Sequence, residues 1–314
     1  MKVNVDNFAR AETARMFDEA VLGYVDGKLA TWAHNRVPTP IEHQPVIRMN
    51  RDTLYSMALL DLSKPATVTL PETHGRYRTV MILDEDHHVD TVFHEPGTYE
   101  LTNDRAATRF VAALMRIFVD PANPDDIAEV NALQDATTLD AGATGPYEHP
   151  PYDEASRKTT FEALAALGNG LDDTARMFGS RAHTDPVRHL IGTAVGWGGL
   201  PESEAFYIID TEPRTVAHYA LTLRDVPVDG FWSMTIYDRD GFMHPNPYDS
   251  YSANNVTSVS DEDGSVTLHL APESDGLQNH LYVMDGWNYA FRLYRPRQVV
   301  LDGTWRLPQI ERVG

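Results

Sequence analysis

The sequence predicts a mainly β protein in which two strand-rich lobes are joined and flanked by helices. Three observations carry that prediction. Residues 45 to 101 and 203 to 308 consist of short runs rich in Val, Ile, Thr, Tyr, Phe and Trp, bounded by Pro, Gly, Asn or Asp. Helical signatures fall at the N-terminus and between residues 120 and 196. A chain of 314 residues also exceeds what one hydrophobic core usually organises, so two lobes are expected.

In chain order, Phe8, Phe17, Val21, Tyr24 and Val25 recur at three- and four-residue spacings, which predicts an amphipathic helix over 7–26 with Asn7 as cap and Gly27 as stop. The runs PVIRM, TLYSMALLDL, ATVTL, YRTVMILD and DTVFHEPGTYEL then read as strands. TRFVAALMRIFVD fits either period, with Phe110, Val111, Leu114, Met115 and Phe118 on a helical face or Phe110, Ala112, Leu114, Arg116 and Phe118 alternating as a strand. Three helices are predicted from their caps: Asn123 before Pro124, Asp153 running to Gly168, and Asp185 before Pro186. The C-terminal third reads as seven short strands, AFYIID, VAHYALTL, GFWSMTIYD, GSVTLHL, HLYVMD, NYAFRLY and GTWRLP. Turn signals stand between them at Asp240-Gly241, Asp263-Gly264, Asp285-Gly286 and Asp302-Gly303. That spacing predicts a β-sandwich or jelly roll. The organisation expected is an N-terminal helix over 1–30, a β domain over 31–140, a helical connector over 141–200 and a second β domain over 201–314.

Composition narrows the partners. With 26 Lys and Arg against 46 Asp and Glu the formal charge is −20, which repels phosphate backbones and anionic membrane faces, so neither nucleic acid nor membrane is expected as a partner. The absence of cysteine excludes disulfides, thiolate metal sites and cysteine nucleophiles. Charges are scattered through the first thirty residues and no run approaches ~20 apolar residues. A cytoplasmic location is the expectation.

Four blocks, NRDTLYS (50–56), VDGFWSMTIYDRDGF (228–242), NPYDSYSANN (246–255) and GWNYAFRLYRP (286–296), resemble the paired DUF1254 and DUF1214 domains of bacterial proteins. The resemblance runs from about Pro38 to Pro308. It implies two jelly-roll-like lobes, the first over 31–140 and the second over 201–314. It also implies that TRFVAALMRIFVD is a strand leading into DPANPDDIAE (120–129).

Standard hydrolase, nucleotide and zinc-protease motifs are missing, no cofactor is indicated, and GWGG at 196–199 reads as a helix stop rather than a phosphate loop. The candidate site begins at Arg51 and Asp52, two charges at the mouth of a buried strand. As a strand, Arg51, Thr53 and Tyr55 share one face while Asn50, Asp52, Leu54 and Ser56 share the other. Two readings stand: Arg51 pairs with a protein carboxylate, or Arg51 and Tyr55 line a cleft where the guanidinium grips an anion. In LDEDHHVD an extended chain places Asp84, Asp86, His88 and Asp90 on one face, which makes a divalent ion conceivable, although no metal is assigned. His87 is the expected acid/base. NPYDSYSANN reads as an exposed loop offering Asn246, Tyr248, Tyr251, Ser252 and Asn254, with Asn50 and Trp197 as further binding residues, while Trp232 and Tyr289 read as core.

These residues point to an enzyme acting on a small molecule, a hydrolase or lyase, in a cleft between the two β lobes. Arg51 clamps an anion such as a carboxylate, His87 is the acid/base, and Asp52 and Tyr55 complete the catalytic set. The alternative is a non-catalytic module that binds sugar or protein through the aromatic loops.

Overall fold

A computed structural model describes residues 1–44, 47–169, 171 and 173–313. They divide into two units. The first comprises Met1–Arg36, Leu54–Val119 and Asn123–Glu202, and the second comprises Val37–Thr53, Asp120–Ala122 and Ser203–Gly314. The predicted helices therefore pack with the first β unit, and residues 37–53, expected within the first β domain, pack with the second.

In the first unit, β1 (Ala33–His34), β2 (Thr53–Asp61), β7 (Phe110–Phe118), β4 (Arg78–Asp84) and β5 (Val89–Phe93) form a sheet in that order. A second sheet has the order β6 (Gly97–Leu101), β3 (Ala66–Leu70), β8 (Thr138–Ala141), with antiparallel pairs throughout. One apolar cluster serves both: Val80 and Ile82 of β4, Val111, Ala113, Met115 and Ile117 of β7, and Val68 and Leu70 of β3. The stretch that fitted two periods is thus a strand, and its other face is used as well. Phe110 meets the Tyr147 ring edge-on at 4.9 Å, and Arg116 donates to the Gly198 carbonyl. With both faces covered, the strand carries apolar residues at nearly every position, which is why its periodicity was ambiguous.

Helices α3 (Pro124–Ala136), α4 (Glu154–Gly168) and α5 (Pro186–Val195) start where the caps predicted, with the carboxylate or amide of Asn123, Asp153 and Asp185 accepting first-turn N–H groups. The N-terminal helix departs from expectation. α1 spans only Phe8–Met16, and the chain continues through a π turn over Phe17–Val21 and a 3-10 turn over Leu22–Tyr24 to Gly27 at φ +74°. Asn7 does not cap it with its side chain, because its Oδ1 accepts from the Asn4 N–H and its Nδ2 donates to the Lys2 carbonyl.

The second unit is a sandwich of two four-stranded sheets. One has the order β14 (His280–Tyr282), β13 (Val266–Ala271), β10 (Tyr219–Leu223), β16 (Glu311–Arg312). The other has the order β12 (Ser252–Asn254), β11 (Trp232–Tyr237), β15 (Trp287–Tyr294), β9 (Ala205–Arg214). Their inner faces share a core of Leu221, Leu268, Leu270, Trp232, Met234, Tyr289 and Phe291. Among the described residues the strand pairs of this unit are antiparallel except β13 with β14, which is parallel. All four Asp-Gly signals are turns with glycine φ between +74° and +89°.

Two predicted strands are not found among the described residues. Pro45 and Val46 of PVIRM lie outside the described residues, and Ile47 and Arg48 form a turn, with Arg48 at φ +57°. GTWRLP has no strand partner; Trp305 and Leu307 pack on the sandwich core, and Pro308 supplies no N–H for a ladder. Conversely, part of NPYDSYSANN is a strand, β12.

Candidate functional site

Alternation along β11, β12 and β15 gives their sheet one apolar and one polar face. Trp232, Met234 and Ile236 enter the core, while Ser233, Thr235 and Tyr237 face the other way, joined by Ser252 and Asn254 of β12 and Arg292 of β15. This polar face is covered by residues 48–52 of the same unit. Arg292 donates to Thr235 Oγ1 at 2.9 Å, to Tyr237 Oη at 2.7 Å and to the Arg48 carbonyl at 2.9 Å. Tyr237 Oη donates to the Met49 carbonyl, and Asn50 Nδ2 donates to Tyr294 Oη at 2.7 Å.

Asp52 is the ionisable centre of this layer and has no solvent exposure. Its Oδ1 accepts from Ser252 Oγ at 3.2 Å and from Asn254 Nδ2 at 3.3 Å, and its Oδ2 is buried without a hydrogen-bond partner, as is the hydroxyl of Ser233. Burial pushes the Asp52 carboxyl above the usual carboxylate range, opposed by the charge of Arg292 and by the nearby Ser233, Asn254 and Ser252. Asn50 Oδ1 accepts the Asp52 N–H at 2.8 Å, which sets the backbone where the carboxyl enters. Asn254 is itself oriented, because its Oδ1 accepts from the N–H groups of Val256 and Thr257 and its Nδ2 is left for Asp52.

Ser252 and Asn254 are also wall residues of an open pocket of about 690 Å³ in this unit, together with Arg51, Tyr251, Asp249, Glu42 and Asp120. Arg51 is half-buried, donates through Nη1 to the Thr39 carbonyl, and stands over the Tyr251 ring at 5.5 Å. No carboxylate of the described residues forms an ion pair with it. Burial lowers the basicity of its guanidinium, against the opposing influence of Tyr251, Asp52, Asp249 and Glu42.

Six residues proposed from sequence thus meet here: Arg51, Asp52, Asn50, Tyr251, Ser252 and Asn254. Tyr251 is 8% and Asn254 2% exposed, which corrects the expectation of an exposed loop, because β12 seats Asn254 in the sheet and Tyr251 packs with Ile41, Tyr237 and Met243. Asn246 organises its own loop by accepting from Tyr248 and Ser250 N–H groups and donating to the Ser250 carbonyl. Tyr248 is 37% exposed and donates to Glu273.

The other proposed residues belong to the first unit. Arg116 stands over the Tyr55 ring at 5.3 Å. Trp197 donates to Thr13 Oγ1 and stacks on His87 at 5.8 Å. LDEDHHVD is not extended beyond Asp84: the Asp84 Oδ1 accepts from Asp86 and His88 N–H groups, closing a turn with His87 at φ +67°. Asp84, Asp86, His88 and Asp90 therefore do not alternate along one face. Among the described residues, no group of three or more His, Asp or Glu is placed to hold a metal ion.

His87 is 1% exposed, and both ring nitrogens are engaged. Nε2 accepts the Gly198 N–H at 2.9 Å, so the ring proton sits on Nδ1, 2.9 Å from Thr193 Oγ1, which donates onward to the His189 carbonyl. Burial, with His189 and His88 adding to it, holds His87 far below the usual imidazole range. A neutral imidazole with its lone pair occupied has no proton-transfer partner in this geometry. Sequence reasoning missed Arg292, Ser233, Asp249 and Glu42. The alternation W-S-M-T-I-Y and the arginine inside NYAFRLY were the available signals for a buried polar face.

A two-unit, mainly β protein with a polar pocket built on one sandwich defines the class. Two family models match the chain, "Protein of unknown function (DUF1254)" over residues 29–141 and "Protein of unknown function (DUF1214)" over 210–298. The chain belongs to the family that pairs these two domains. The crystal structure of the VPA0106 protein from Vibrio parahaemolyticus is similar at a TM-score of 0.78 and 18% identity, covering 99% of this chain and 98% of that one. An uncharacterised protein from Burkholderia cenocepacia is similar at a TM-score of 0.53 and 14% identity, over 96% and 85% of the two chains. These likenesses show a shared fold. No curated protein matches. No described helix is long and apolar enough to cross a membrane.

Proposed function

We propose that the protein acts on a small molecule held in the Arg51 pocket of its second unit, with Arg51 as the clamp for an anionic group, a carboxylate foremost. The observation that carries this reading is a half-buried guanidinium on a pocket wall without a carboxylate partner among the described residues. A guanidinium cannot shed its charge, so a ligand anion is the natural complement for its remaining donors. Asp52 takes over the acid–base role first assigned to His87. Its carboxyl is held in a more basic state by burial and communicates with the pocket through the Ser252 hydroxyl, which suits proton delivery in a hydrolase or lyase.

Thermal melts with short carboxylates test the reading. Wild type should gain stability in proportion to ligand concentration, and Arg51→Ala should lose that gain. Equal ligand stabilisation in both proteins would remove Arg51 from the site. A second reading, a non-catalytic sugar- or protein-binding module, draws support from Tyr248, exposed beside the His280 and Tyr282 rings at 5.1 and 6.2 Å. It predicts that Tyr248→Ala, not Arg51→Ala, weakens oligosaccharide binding in titration calorimetry.

A further inference from the structure

We infer that the ligand of the Arg51 pocket is a zwitterion, a small molecule carrying an ammonium group as well as its carboxylate, an inference that rests on the reading of this pocket as the site. The charges on its wall require both signs. Arg51 is the one cationic side chain among the described lining residues, against the three carboxylates of Glu42, Asp120 and Asp249. A simple anion drawn to Arg51 also draws near those carboxylates, in a protein whose formal charge is −20. A zwitterion has no net charge to be repelled, and it can satisfy both kinds of wall.

The placement of the groups suits such a molecule. Arg51 lies over the face of Tyr251, and the Tyr251 hydroxyl donates to Asp249 at 3.3 Å, so cation and carboxylate flank a single tyrosine. They do not pair with each other: neither Asp249 nor Glu42 forms an ion pair with Arg51, although both act on its charge. Glu42 and Asp249 are exposed wall residues, and Arg51 is half-buried. The carboxylate of the ligand therefore points inward to Arg51 and its ammonium outward to Asp249 and Glu42. Each end gains a charge-assisted hydrogen bond. The pocket is large enough for a small bipolar molecule.

Titration calorimetry on the full chain with a ladder of probes tests this. The probes are glycine, β-alanine, 4-aminobutyrate and 5-aminovalerate, each set against the carboxylate and the alkylamine of the same chain length. At least one amino-carboxylate should bind about tenfold or more tightly than its two single-charge counterparts. The double substitution Glu42→Gln with Asp249→Asn should erase that preference and leave carboxylate binding in place, while Arg51→Gln should remove both. Carboxylates binding as tightly as their amino counterparts would overturn the zwitterion and leave the pocket reading standing. Absence of binding by every probe, or affinity unchanged in Arg51→Gln, would overturn the pocket reading and the inference with it. The comparison across the ladder uses wild type alone, so it stands even where a variant folds poorly.

Discussion

Replacing Asp84 by Asn should stabilise the protein, and by more at alkaline than at acidic pH. Asp84 ends β4, is 3% exposed, and its Oδ1 accepts the N–H groups of Asp86 at 2.9 Å and His88 at 2.7 Å, while its Oδ2 is buried without a partner. Burial, with the charge of Asp86 adding to it, pushes the carboxyl from 3.8 up to about 7, against the N–H groups of His88 and Asp86. The native state therefore holds this proton more tightly than the unfolded chain does. Its contribution to stability is fully present below about pH 4, declines as the pH rises toward 7, and is lost above that. A gap of roughly three pKa units at ~1.4 kcal/mol each sets an upper bound of ~4 kcal/mol. Asparagine keeps an acceptor for both N–H groups and carries no charge to bury. The expected result from urea denaturation is a variant more stable than wild type by ~2 to 4 kcal/mol at pH 8, with the difference falling to less than half at pH 5. Equal differences at the two pH values, or a variant less stable than wild type at pH 8, would refute the reasoning.

Three further outcomes are expected in the same denaturation assay. Arg51→Ala without ligand should cost ~1 kcal/mol or less, since it loses one bond to a carbonyl and a ring contact and strands no ion-paired carboxylate; a loss of ~3 to 5 kcal/mol would mark Arg51 as a structural clasp. Arg292→Met should cost ~3 kcal/mol or more, because it removes two buried hydrogen bonds, a third that is partly buried, and the cation nearest in effect to buried Asp52; a cost below ~1 kcal/mol would contradict the polar-layer account. His87→Ala should cost ~2 to 4 kcal/mol by opening a cavity against Phe178 and Trp197 and orphaning the Gly198 N–H, and a variant as stable as wild type would return His87 to the list of functional candidates.

Much of the architecture was legible because it depends on short-range chemistry. Asn123, Asp153 and Asp185 cap helices through their own first turns, and the four Asp-Gly pairs between the C-terminal strands turn the chain with glycine at positive φ. The failures lie where tertiary pairing decides, or where a competing side-chain hydrogen bond a few residues away does. GTWRLP has the composition of a strand but packs on the sandwich core without pairing, and LDEDHHVD looks extended until the Asp84 side chain closes a turn. Asn7 precedes a helix, yet Lys2 and Asn4 claim its side chain.

The candidate site divides along the same line. The sequence by itself determined that Arg51 and Asp52 stand side by side before a buried strand, and that polar and apolar residues alternate through GFWSMTIYD, since side-chain direction in a strand has a period of two. The tertiary structure alone decided that the polar face of that strand is buried beneath residues 48–52, about two hundred positions earlier in the chain. It also separated the two charges by environment, placing Arg51 on a pocket wall and Asp52 in a layer with no solvent exposure. A charge is cheap in water and costly in the interior, and the residues that set its burial and its partners, Ser252, Asn254 and Arg292, are adjacent to Asp52 only in space.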